Sequence, residues 1–168
     1  MEIERKWLIS TERIPFSLAE CEKVHIDQAY VSFSPTIRIR DVDHGRKYIL
    51  TVKTRAAGFD PELAKNEYET EITADEYRQL MDIARGRVIR KTRYILKGDD
   101  GLIYETDVFE DEFSGLAYLE IEFPDNDSAA LFPDPDWVEC DVTYCPEYKN
   151  SALAKYGMPA LRYKRKEN

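Results

Sequence analysis

The sequence is short of the residues that would tie it to an oxidising, membrane-bound or soft-metal setting. It has 3 cysteines and 2 histidines, and Cys21, Cys140 and Cys145 show no zinc-ligand spacing. An odd number of such thiols argues against a disulfide framework and for a reduced, intracellular chain. No apolar run approaches the roughly 20 residues that a membrane-crossing helix needs. The opening Met1-Glu2-Ile3-Glu4-Arg5-Lys6 is charged where a secretion signal would be apolar. A cytoplasmic location with no membrane partner is therefore expected. Basic residues are in the minority, 24 against 33 acidic, and the net charge of −9 argues against nucleic acid as a partner. No repeat, low-complexity stretch or domain linker interrupts the 168 residues, so 1–168 reads as one domain. The closing Arg162-Tyr163-Lys164-Arg165-Lys166 reads as a solvated, flexible tail.

Charge is what the sequence has in abundance, at 34% of residues, and it is laid out with period two. Glu2, Glu4 and Lys6 share one face of a strand, with Ile3, Arg5 and Trp7 on the other. Alternation returns at 37–40, 48–53, 67–72, 91–96, 102–109 and 118–123, and with 28–33 it predicts roughly eight short strands. Asp43-His44-Gly45 and Gly98-Asp99-Asp100-Gly101 are turn signals between neighbouring strands, so antiparallel meanders are expected. Helices are few. Thr73-Ala74-Asp75-Glu76 is a capping box, followed by Tyr77, Leu80, Met81 and Ala84 on one face, with Gly86 as the stop. Short helices are expected at 128–132, before Pro133, and at 150–156, closed by Gly157.

The polar faces of these strands are almost purely ionic, and several carry one sign. Arg38 and Arg40 point the same way, as do Lys91 and Arg93, Glu105 and Asp107, and Glu120 and Glu122; Glu67, Glu69 and Glu71 form an acidic row. One reading is a sheet packed on helices with a solvated charged face. The other is a closed barrel, its ionic parity turned inward and Ile3, Trp7, Ile49 and Val52 packed against outer helices. Like charges two residues apart repel on an open face, and about eight strands enclose one small ligand. Both readings stand on the pattern alone.

The opening Glu2-Ile3-Glu4-Arg5-Lys6 resembles the ExExK signature of the CYTH superfamily, the triphosphate tunnel metalloenzymes. The resemblance continues in order through Gln28-Ala29-Tyr30, Arg38-Ile39-Arg40, Leu50-Thr51-Val52-Lys53, Glu67-Tyr68-Glu69 and Lys91-Thr92-Arg93-Tyr94. It closes with Glu105-Thr106-Asp107-Val108-Phe109, Leu119-Glu120-Ile121-Glu122-Phe123 and Tyr148-Lys149-Asn150-Ser151-Ala152-Leu153-Ala154. Ala29 stands where close relatives commonly have Gly, and Trp7 where they have Phe. The resemblance implies an eight-stranded antiparallel closed barrel, a β-dominated α+β fold with a few helices outside. It implies hydrolysis of a small triphosphate, inorganic triphosphate foremost, to pyrophosphate and phosphate. A class IV-type adenylyl cyclase, a thiamine triphosphatase and a non-catalytic polyphosphate- or nucleotide-binding module are the alternatives.

The same resemblance assigns roles. Glu2, Glu4, Glu120 and Glu122 are expected to hold Mg²⁺ or Mn²⁺, with Asp107 and Glu69 next, since these hard ions prefer carboxylate oxygens. Lys6, Arg38, Arg40, Lys53, Lys91 and Arg93 are expected to bind phosphate oxygens, with Lys149 and Arg55 at the mouth. Lys91 is expected nearest the attacking water and Tyr30 to gate or orient, while His25, His44 and the cysteines receive no role. A homodimer stays open.

Overall fold

The period-two stretches all fold as strands. The computed structural model describes residues 2–55, 57 and 64–160, with the side chains of Glu2, Ala64 and Lys65 outside that description. Its strands are β1 (Glu2–Leu8), β2 (Glu22–Phe33), β3 (Thr36–Val42), β4 (Lys47–Arg55), β5 (Ala64–Ile72), β6 (Arg85–Lys97), β7 (Ile103–Phe109), β8 (Ala117–Glu122) and β9 (Cys140–Asp141). The hydrogen-bonded order is β5-β4-β3-β2-β6-β7-β8-β1-β9, and every pairing is antiparallel. The series comes back on itself, because β1 also pairs with β5 at Glu2↔Lys65 and Ile3↔Ala64. These two residue pairs give β1–β8 a barrel-like form, and β9 is a short addition beside Trp7 and Leu8.

Turn chemistry sets the register. Asp43, His44 and Gly45 all take positive φ between β3 and β4, and the Asp43 carboxylate accepts from the His25 backbone N–H at 2.9 Å. Helix α1 (Ala74–Asp82) starts on the expected box: Glu76 N–H donates to Thr73 Oγ1 at 3.2 Å, and Thr73 N–H donates to the Glu76 carboxylate at 2.7 Å. Gly86 does not stop this helix, which ends at Asp82; it lies inside β6 with φ +74°. A Cβ there would sit 2.4 Å from the Ala154 carbonyl oxygen, so glycine is what lets helix α3 (Asn150–Tyr156) lie against β6. Helix α2 (Asn126–Leu131) begins two residues earlier than expected because Asp125, which accepts from Ser128 N–H at 2.7 Å, caps it.

Apolar side chains occupy two separate places. On the outer face, Ile3, Trp7, Ile9, Leu119, Ile121 and Phe123 pack with Ala129 of α2. Trp7 is fully buried against Phe132, as its outward parity required, and its Nε1–H donates to Asp134 at 2.8 Å. Arg5 reinforces this seam by donating to the Ala129 and Phe132 carbonyls and to Asp134 and Asp141. The second cluster has the other parity. Leu8, Tyr30, Ile89, Phe109 and Tyr118 pack with Tyr148, Leu153 and Ala154, closing one end of the interior beneath α3. Ile49 corrects the outward assignment made from sequence: it stands opposite Arg40 and Glu71, in line with Thr51 and Lys53, on the inner face. No helix among the described residues is long and apolar enough to cross a membrane.

Candidate active site

The ionic parity faces inward around a cavity of about 1130 Å³. Its lining includes Glu4 and Lys6 of β1, Gln28 and Tyr30 of β2, Arg38 and Arg40 of β3, and Lys53 and Arg55 of β4. Glu67 and Glu69 of β5, Lys91 and Arg93 of β6, Glu105 of β7, and Glu120 and Glu122 of β8 complete the ring, with Lys149 and Asn150 where α3 begins. Eight strands thus each contribute to one chamber, because period two puts the same parity of every strand inside.

Two ion-pair networks line opposite stretches of the strand order. The first joins β6, β7, β8 and β1. Lys91 donates to Asp107, and Arg93 donates through Nε and Nη2 to the two Asp107 oxygens at 2.7 Å each. Arg93 also reaches Glu105, and Glu120 at 2.5 Å. Glu120 in turn meets Lys6 Nζ at 2.8 Å, its cross-strand partner in the β1–β8 register. The second network joins β3, β4 and β5. Glu67 bridges Arg38 at 3.0 Å and Lys53 at 2.7 Å, while Glu69 takes Arg40 and Thr51 Oγ1, the latter at 2.8 Å.

Burial and pairing compete at these groups, and the outcome differs by site. Burial alone would raise the Glu120 carboxyl, but Lys6, Arg93 and Lys91 hold it well below the usual range. Asp107 is likewise lowered, as Arg93 and Lys91 outweigh its burial. Burial would lower Lys6, yet Glu120 and Glu4 leave it raised. Lys91 goes the other way: its burial prevails over Asp107, and nearby Arg93 adds to the lowering. Arg40 falls to about 10 through burial and the neighbouring Arg38 guanidinium. Crowded cations with lowered basicity call for an anion.

A hard cation also fits the donor chemistry. Glu4 and Glu122 stand directly opposite each other on β1 and β8, both on the cavity wall. The acidic donors on that wall are carboxylates, with no imidazole or thiolate among them. Among the described residues no three such groups converge into a ready-made metal cluster. An ion held by two carboxylates would complete its shell with water and phosphate oxygens, as Mg²⁺ commonly does.

Similarity to known proteins follows the same landmarks. The CYTH domain matches residues 1–134. The chain belongs to the CYTH domain family. This CYTH chain is 37% identical over 155 residues to a protein named inorganic triphosphatase from Nitrosomonas europaea, spanning 91% of this chain and 96% of that one. It is 36% identical to the inorganic triphosphatase of Acetivibrio thermocellus, over 92% of this chain and 93% of that one. The crystal structure of an inorganic triphosphatase superposes with a TM-score of 0.65 at 34% identity, covering 92% of this chain and 94% of the other.

Most of the residues singled out in the CYTH motifs meet in the chamber. Lys6, Arg38, Arg40, Lys53, Arg55, Lys91, Arg93, Lys149, Tyr30, Glu4, Glu69, Glu120 and Glu122 all line it. Glu2 lies outside the described side chains, although its backbone pairs with Lys65. Asp107 is absent from the lining. Glu67, Glu105 and Gln28 are wall residues that the role assignments omitted. The first two carry the same signal as their neighbours, an acidic residue on the ionic parity. Gln28 is buried and donates from Nε2 to Tyr30 Oη at 2.7 Å. His25 stacks on His44 at 4.2 Å, and neither ring lines the chamber, nor does any cysteine.

Proposed function

We propose that this chain is a divalent-metal-dependent hydrolase of a small triphosphate, with inorganic triphosphate as the preferred substrate and pyrophosphate and phosphate as products. The carrying observation is that Arg38 Nε and Arg40 Nε are buried at the chamber wall as donors with no acceptor among the described residues. Buried guanidinium donors left unmatched are costly, and phosphate oxygens are suited to accept from them. The names of the two relatives, which cover nearly the whole chain, favour the same substrate.

Arg38, Arg40 and Lys53 bind phosphate oxygens from one wall, and Lys6 and Arg93 from the other. Lys149 meets substrate near the start of α3. Glu4 and Glu122, with Glu2 on the same parity, hold the divalent ion, Mg²⁺ or Mn²⁺; Glu69 and Glu120 are weaker candidates, because Arg40 and Thr51 already engage the first, and Lys6 and Arg93 the two oxygens of the second. When bound, such an ion neutralises phosphate charge and makes water a better nucleophile. Lys91 acts beside the terminal phosphorus, where its lowered basicity lets it pass a proton between water and phosphate oxygen. Tyr30 keeps its proton, since burial raises its pKa, and orients substrate through its hydroxyl. Alignment and charge stabilisation supply most of the rate in phosphoryl transfer.

The test is phosphate release from tripolyphosphate, thiamine triphosphate and ATP with Mg²⁺ or Mn²⁺, and with EDTA as control. Tripolyphosphate is expected to be cleaved fastest and EDTA to abolish release. Cyclic AMP and pyrophosphate from ATP would replace this reading with a cyclase, and tight binding of triphosphate without turnover would replace it with a binding module.

A further inference from the structure

We infer that Asp107 is a positioning residue for Lys91 and Arg93 and not a ligand of the divalent ion; the inference rests on the triphosphatase reading above. Asp107 is 0% exposed and stands directly opposite Arg93 in the β6–β7 register. Arg93 grips it as a fork, Nε to Oδ1 and Nη2 to Oδ2, both at 2.7 Å, and Lys91 Nζ donates to the same Oδ2. Both carboxylate oxygens therefore already accept from cations. Lys91 and Arg93 line the chamber, and Asp107 lies behind them, outside its wall.

To reach a metal in the chamber, Asp107 would have to move out from behind Lys91, which is 2% exposed and donates to no other carboxylate among the described residues. An uncompensated ammonium in that place is strongly unfavourable. Glu4 and Glu122, by contrast, are on the wall itself. The consequence is a division of labour within one acidic set. Asp107 fixes the separation and direction of two cations that touch phosphate, and the chain continues through Arg93 to Glu120 and Lys6. A displacement of the two cations by about 1 Å can cost roughly 100-fold in rate.

The experiment is Asp107→Asn, measured in two ways. Mn²⁺ binding without substrate, followed by electron paramagnetic resonance of the free ion, should change by less than about twofold, whereas Glu4→Gln should weaken it roughly tenfold or more. In steady-state assays the variant should lose about 100-fold in kcat/KM with both kcat and KM affected. The loss should be clearly smaller when Asp107→Asn is added to Arg93→Ala, the remainder being the part that acts through Lys91, as expected of residues acting through one another. Mn²⁺ binding weakened as much as in Glu4→Gln, or additive losses in the double variant, would overturn the inference. Should Asp107→Asn not fold, Lys91→Met with Asp107→Leu removes anion and cation together, and loss of Mn²⁺ binding in that variant overturns it equally. The Mn²⁺ measurement does not depend on turnover, so a wild-type protein that fails to cleave triphosphate would refute the triphosphatase reading and leave the metal question decided on its own.

Discussion

Glu4 and Glu122 face each other across the β1–β8 pair, two like charges held in register on the chamber wall. Directly opposed like charges destabilise a sheet unless something lies between them. Replacing either with Gln should therefore raise the Mg²⁺ concentration needed for half-maximal phosphate release by roughly tenfold, with activity partly restored at high metal. Metal titrations of the two variants against wild type check this, and an unchanged metal requirement would remove both from the ion's ligands.

The cations should separate by kinetic signature. If Arg38 and Arg40 bind phosphate in the ground state as proposed, Arg38→Ala or Arg40→Ala should raise KM for tripolyphosphate, with some loss of kcat. Lys91→Ala should leave binding largely intact and lower kcat and kcat/KM together by about 100-fold, the mark of a contact made mainly in the transition state. An effect of Lys91→Ala on KM alone would make it a binding residue.

Glu67 bridges Arg38 and Lys53. Glu67→Gln should loosen both cations and raise KM several-fold with a smaller effect on kcat. Steady-state kinetics over a range of tripolyphosphate decide it; a lowered KM would mean that Glu67 competes with substrate instead of arranging its ligands.

Trp7 is the largest fully buried side chain of the outer core and does not touch the chamber. Trp7→Ala should cost about 3–5 kcal/mol of stability and leave the KM of the remaining folded enzyme near wild type. Chemical denaturation together with KM measured well below the melting temperature tests both halves.

Acid should unfold the metal-free protein through its buried carboxylates. Glu120 has an ordinary value of 4.5 and Asp107 of 3.8, and both are lowered in the fold. Between the ordinary and the lowered values the unfolded chain binds more protons, so stability is present above that window and is lost as the pH falls through it. Melting temperatures measured in EDTA from pH 6 downward should fall, and Glu120→Gln should flatten the acid limb. A variant as steeply acid-sensitive as wild type would shift the cause elsewhere.

The amino-acid pattern alone carried the strands, the capping box at Thr73, the turn at residues 43–45 and the gathering of charge on one parity of each strand, because all of these are set by residues within a few positions of one another; that this parity faces inward was decided by the pairing of the strands. It also carried the family motifs, which are contiguous runs. Three other things were decided only when the strands paired. Ile49 turned out to face inward, because its face is fixed by the register with Arg40 and Glu71 and not by its own hydrophobicity. Gly86 proved to be a point of close approach to Ala154, a contact 68 positions away in the chain. Asp107 shares its parity and charge with Glu105, yet it is sealed behind Lys91 and Arg93 while Glu105 reaches the wall. Period two tells which side of a strand a carboxylate occupies, but its depth and its counter-ion depend on neighbouring strands, and those are chosen by the fold as a whole.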